Sequence, residues 1–160
     1  MLLIFLQKFL LYGCIGIVVE VLFTGIYQLL SKNWKLTGHT YLWMFVPYGL
    51  TGLVMELVRA SLDCPFYIKA FVYVPIIYGA EALSGYVILI VTRFLQKLLG
   101  GHGAVIPWNY GSHRWTLGGL INLKYFPFWF GLAMLFEPIC CILGTTVRAL
   151  AELTLQTFAG

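Results

Sequence analysis

The chain has 160 residues, of which 61% are apolar, 17% aromatic and 10% charged, with a net charge of +4 and a mean hydropathy of +0.89. Soluble domains carry about 25% charged residues, and sixteen charges do not cover a globule of this size. Soluble, disordered, coiled-coil and nucleic-acid-binding classes are therefore excluded, which leaves an all-α, polytopic integral membrane protein.

A bilayer core of about 30 Å requires roughly 20 apolar residues as helix, and the chain offers four such stretches in one transmembrane domain. Residues 1–11 lack a basic leader and an A-x-A-like cleavage site, so they read as the start of an uncleaved first span over 9–30. Residues 31–40 are polar and form a loop. The second span covers 41–62, and Asp63-Cys64-Pro65 breaks the helix, because a proline disfavours helix in the residue before it. The third stretch, 66–99, is too long for one straight crossing; its membrane part is 66–92, with a kink expected at Pro75 and residues 93–99 along the interface. A long polar, aromatic-rich segment over 100–119 precedes the fourth span, 120–143, which holds Pro127 and Pro138. Residues 145–160 suit an amphipathic tail.

Four spans place both termini on one side. Lys8, Arg59, Lys69 and Arg148 flank one face, and Lys32, Lys35, Arg93, Lys97 and Arg114 the other, so the positive-inside rule does not orient the chain. No internal repeat, low-complexity segment or separate soluble domain stands out. The four cysteines form neither CxxC nor a zinc spacing.

Each span holds one glutamate: Glu20, Glu56, Glu81 and Glu137. A charged carboxylate at mid-membrane costs about 2.5–3.5 kcal/mol on insertion scales, so each should face the bundle interior, be paired or be protonated. Their neighbours mark an inward face. Gly13, Gly16, Glu20, Thr24 and Tyr27 follow 3–4 spacing, as do Gly49, Gly52, Glu56 and Arg59, and more loosely Tyr78, Glu81, Gly85 and Thr92. Glu56 has Arg59 one turn on, the spacing of an intrahelical ion pair, and Glu137 precedes Pro138, the position of a helix break. Glu20 and Glu81 are central without a local cation. They are the leading candidates for handling an ion, proton or ligand, with Glu56 third.

In the loop before the last span, His102, Trp108, Asn109, Tyr110, His113, Arg114 and Trp115 crowd together. Interfacial anchoring explains the rings. The functional alternative is a lid in which Trp108, Asn109, Tyr110 and Arg114 form the mouth of a cavity holding Glu20 and Glu81. No P-loop, GxSxG or metal-ligand spacing is present, so neither a cofactor nor a metal is expected.

Gly16 with Glu20 and Val21, Asn33-Trp34-Lys35, Gly38, Tyr48-Gly49, Glu56, Cys64-Pro65, Glu81 with Gly85, Trp108-Asn109-Tyr110, Gly119, Ile121, Leu123, Tyr125 and Trp129 follow in an order that resembles the CmpB-like, ABC-transporter type IV family, which includes the vertebrate transmembrane protein 229. The resemblance covers about residues 12–137 and implies four membrane helices. The family usually has Trp-Asp-Tyr where this chain has Trp108-Asn109-Tyr110, which puts any use of that acid in doubt here. The family label implies transport but no catalytic residues.

Three functions fit these features. The first is transport or binding of an ion, lipid or small solute at a glutamate-lined intramembrane site. The second is a non-catalytic subunit of a larger membrane complex, and the third, with no visible nucleophile–base pair, an intramembrane enzyme. Expected partners are membrane lipids and either further copies of the chain or other membrane subunits; nucleic acid is not among them.

Overall fold

A computed structural model describes residues 2–101, 108–111 and 114–159. Among them the fold is all-α, with four helices: α1 (Leu2–Leu30), α2 (Phe45–Ser61), α3 (Phe66–Leu99) and α4 (Phe126–Ala159). Three stretches, Leu2–Leu30, Phe66–Leu99 and Leu123–Ala149, are long and apolar enough to cross a membrane. Leu22, Leu57, Leu83, Ile90 and Ile142 are each more than half exposed. This much outward apolar surface is what acyl chains cover and water does not.

The expected second span is shorter than the sequence suggests. Its α-helix has 17 residues, about 25 Å long, preceded by a single 3-10 turn, Leu42–Met44. Residue 41 instead ends the returning loop. The expectation of a helix break at Pro138 also changes. α3 and α4 each run 34 residues as one continuous helix, with Pro75 and Pro138 inside them. Pro138 therefore does not break its helix at Glu137. The fourth helix starts at Phe126 rather than residue 120, and it continues through Gly144 into the expected tail without interruption.

The chain forms two compact units. The first comprises Met1–Asp63 and Leu135–Gly160, the second Cys64–Met134. In the first unit α1 and α2 pack antiparallel through reciprocal aromatic-on-glycine contacts. Phe9 and Tyr12 of α1 lie against Gly49 and Gly52 of α2, while Phe45 and Tyr48 of α2 lie against Gly13 and Gly16 of α1. A Cβ at Gly16 would sit 2.3 Å from the Tyr48 ring base, and one at Gly52 2.4 Å from that of Tyr12. Only glycine lets the backbones come this close.

This symmetry exposes a repeat that apolar patterning conceals. Residues 9–20 read FLLYGCIGIVVE and residues 45–56 read FVPYGLTGLVME, a shared F-x-x-Y-G-x-x-G-x-V-x-E at an offset of 36. A fainter echo runs through the other helices, where an aromatic also stands eight residues before each glutamate: Tyr73 before Glu81 and Trp129 before Glu137.

α1 ends in a Schellman turn. Asn33 N–H donates to Gln28 O at 2.9 Å and Lys32 N–H to Leu29 O at 2.9 Å, with Lys32 at φ 62° in the position glycine usually takes. The loop then folds back along α1. Thr24 Oγ1 donates to His39 O and accepts from His39 N–H, and Gly38 lies against the Val21 backbone.

In the second unit α3 buries a face of Ala70, Tyr73, Val74, Tyr78, Ser84, Gly85 and Ile88. A two-stranded hairpin pairs β1 (Thr116–Leu117) with β2 (Ile121–Asn122). Its turn uses Gly118 and Gly119 at φ 61° and 75°, which L side chains rarely adopt.

Candidate functional site

The first unit contains a cavity of about 280 Å³ lined by residues from three helices. Ile4 and Lys8 come from α1, and Glu56 and Arg59 from α2; Cys140, Gly144, Val147 and Arg148 come from α4. Helical periodicity explains each group. Ile4, Lys8 and Tyr12 are four apart, Glu56 and Arg59 are three apart, and Glu137, Cys140, Gly144 and Val147 follow 3–4–3 spacing on one stripe.

The ion pairs cross between helices. Lys8 Nζ donates to Glu56 Oε1, and Arg59 Nε donates to Glu137 Oε2 at 2.8 Å. The expected Glu56–Arg59 intrahelical pair does not form, because each of the two reaches a partner on another helix. Glu137 likewise is an ion-pair partner rather than a helix terminus. Tyr12 ties the cluster together. Its hydroxyl donates to Glu56 Oε2 at 3.1 Å and lies 3.3 Å from Cys140 Sγ. The Tyr12 ring stacks on Phe136 with centroids 5.9 Å apart and fills the notch at Gly52.

Of the three leading glutamates, Glu56 lines this cavity. Glu20 lies twelve residues along α1 from Lys8, about 18 Å at 1.5 Å per residue. There it accepts a hydrogen bond from the Thr40 hydroxyl of the returning loop. The repeat accounts for the difference. Thr40 and Met44 stand at Glu20 where Ile4 and Lys8 stand at Glu56, so the lysine is present at one end of the pair only. Glu81 belongs to the second unit, half-buried on α3, with its backbone carbonyl accepting from Ser84 Oγ at 3.1 Å.

Trp108, Asn109 and Tyr110 are tied to the glycine turn of the β-hairpin. Trp108 Nε1 donates to Leu120 O at 2.9 Å, Tyr110 N–H to Gly119 O at 2.8 Å, and Thr116 Oγ1 to Tyr110 O at 2.7 Å. Asn109 Oδ1 accepts from Gly111 N–H at 2.8 Å, an Asx turn. An aspartate makes the same turn with the same oxygen, so the Asn109 departure leaves the local fold unchanged. Arg114 is exposed. His102 and His113 lie outside the described residues.

Sequence reading missed Lys8, Arg59, Glu137, Cys140 and Arg148 as one cluster. The usable signal was the repeat, which singles out Lys8 as the residue replacing Met44.

No family model matches the chain, and no solved structure matches its fold.

Proposed function

We propose that this protein is a small multi-pass membrane protein that binds a polar ligand at the charged cavity of its first unit, as a binding or transport site. The carrying observation is the cavity itself. Lys8, Glu56, Arg59 and Arg148 line about 280 Å³ of open space, with Glu137 behind Arg59 as its ion-pair partner. Buried ion pairs are weak sources of stability, and apolar packing of equal volume often does as well or better. Ionisable groups kept among membrane helices therefore mark ligand or ion sites by default. The motif order, which resembles that of the CmpB-like family with its transporter's label, is in keeping with the same reading.

The accessory-subunit reading draws on α3 and α4. At 34 residues each, about 51 Å, they exceed the roughly 30 Å hydrocarbon core and extend helical surface beyond it.

Native mass spectrometry of the protein extracted in gentle detergent tests the proposal. A non-covalent adduct of small-molecule or lipid mass, lost in Gly144→Leu, is expected. A Cβ at Gly144 meets nothing within 4 Å, so leucine fills the cavity without straining the helix. A ligand-free wild-type protein, or stoichiometric recovery with other proteins in its place, overturns the binding reading in favour of the subunit.

A further inference from the structure

We infer that the cavity takes a phosphate-type oxyanion, held chiefly by Arg148 and supplied at the membrane boundary by a phospholipid headgroup. The inference rests on the cavity being a binding site and adds the chemistry of the ligand.

The argument starts from which charges are already matched. Glu56 uses both carboxylate oxygens, one on Lys8 and one on Tyr12. Glu137 Oε2 is engaged by Arg59. Both acids of the cluster are thus committed, and a cationic ligand would have to displace a lysine or an arginine already in place. The basic side is different. Three cations line the cavity and two acids answer them, so one positive charge is left over. Among the described residues Arg148 makes no ion pair. One unanswered guanidinium suits one phosphodiester, which carries one negative charge and presents oxygens to the planar fork.

Position gives a second, independent indication. Arg148 is the penultimate residue of the apolar stretch Leu123–Ala149. Arg59 is two residues from the end of α2, and Lys8 lies in the second turn of α1. All three cations sit near helix or span ends, where basic side chains meet lipid phosphates. The remaining lining fits as well. Ile4, Gly144 and Val147 are apolar, a wall for the glycerol and first methylenes. About 280 Å³ falls just below the roughly 300–1,000 Å³ of pockets that enclose drug-sized ligands, so it admits a headgroup and not a whole lipid.

The test uses the full chain in detergent micelles, with native mass spectrometry as readout. Three probes are compared: palmitoyl-oleoyl phosphatidylglycerol, the diacylglycerol of the same chains, and inorganic phosphate. Wild-type protein is expected to retain one phosphatidylglycerol and no diacylglycerol. Arg148→Gln should weaken retention about tenfold or more, the loss of one charge-assisted contact, while Arg148→Lys recovers part of it. Gly144→Leu should abolish retention, and circular dichroism of all three variants should match wild type. Arg148-dependent retention of inorganic phosphate without lipid supports the anion site and assigns it to a free anion. Equal retention by wild type and Arg148→Gln, or of diacylglycerol as readily as phosphatidylglycerol, overturns the oxyanion assignment. If such retention still disappears in Gly144→Leu, the cavity stands as a site for another ligand; if it persists there, the binding reading falls too.

Discussion

Replacing Gly16 by alanine probes the α1–α2 contact most directly. In an open helical site this change stabilises by about 0.5–1 kcal/mol, because glycine loses the most conformational freedom on folding. At Gly16 the new Cβ meets Tyr48 Cγ at 2.3 Å and Cβ at 2.4 Å. The root of a side chain cannot swing aside as a ring tip can. Ordinary contact begins near 3.4 Å, so the helices must part by about 1 Å at that point. Overpacking of this kind costs about 1–3 kcal/mol. Gly79 and Gly131 are internal controls, since a Cβ at either meets nothing within 4 Å. Gly16→Ala should therefore be less stable than Gly79→Ala by about 1–3 kcal/mol, roughly 5- to 150-fold in the unfolding equilibrium. The near twofold symmetry predicts a similar loss for Gly52→Ala. Graded unfolding in mixed micelles followed by circular dichroism measures all four. Equal stability of Gly16→Ala and Gly79→Ala would refute the interlock.

Further outcomes follow from the same geometry. Glu56→Gln leaves Lys8 half-buried without its counter-charge and should cost about 1–3 kcal/mol, between exposed and fully buried pairs; Lys8→Met with Glu56→Met should recover most of it in the same unfolding assay. Thr40→Val removes the hydroxyl on Glu20 and should cost about 1–3 kcal/mol, with faster hydrogen exchange over residues 31–41. Lys32→Gly relieves a left-handed lysine and should stabilise by up to about 1 kcal/mol. In membrane fragments open on both sides a charged maleimide should label Cys64, between α2 and α3, and spare Cys14 and Cys141, whose exposed faces lie on membrane-spanning helices; labelling of all three before detergent is added would contradict the assigned spans.

Legibility in the sequence followed the physics of each feature. Apolar runs of twenty or more residues announced α1, α3 and α4, because the bilayer imposes length and composition together. Cys64-Pro65 marked the turn between α2 and α3, since proline fixes local backbone geometry. The short α2 was less legible: Tyr41 and Leu42 are apolar, yet they belong to the returning segment and a 3-10 turn. The ion pairs were not legible at all. Glu56 and Arg59 share a helix face, and nothing local shows that each finds a closer partner 48 or 78 residues away in sequence. Glu20 drew notice for its depth in the span, but the loop that returns to meet it is specified by Thr24, His39 and Thr40, small polar contacts with no periodic signature.

The 36-residue offset between the two F-x-x-Y-G-x-x-G copies also bears on how the two helices recognise each other. It is about the length of one helix with its return loop, so each copy falls on a helix of its own. Two like surfaces that each present rings and glycines fit one another when the helices run antiparallel, as α1 and α2 do. The two ends differ in what meets the glutamate: Ile4 and Lys8 stand at Glu56 where Thr40 and Met44 stand at Glu20. The two ends of an otherwise like pair are thus told apart by a lysine at the Glu56 end that has no counterpart at the Glu20 end.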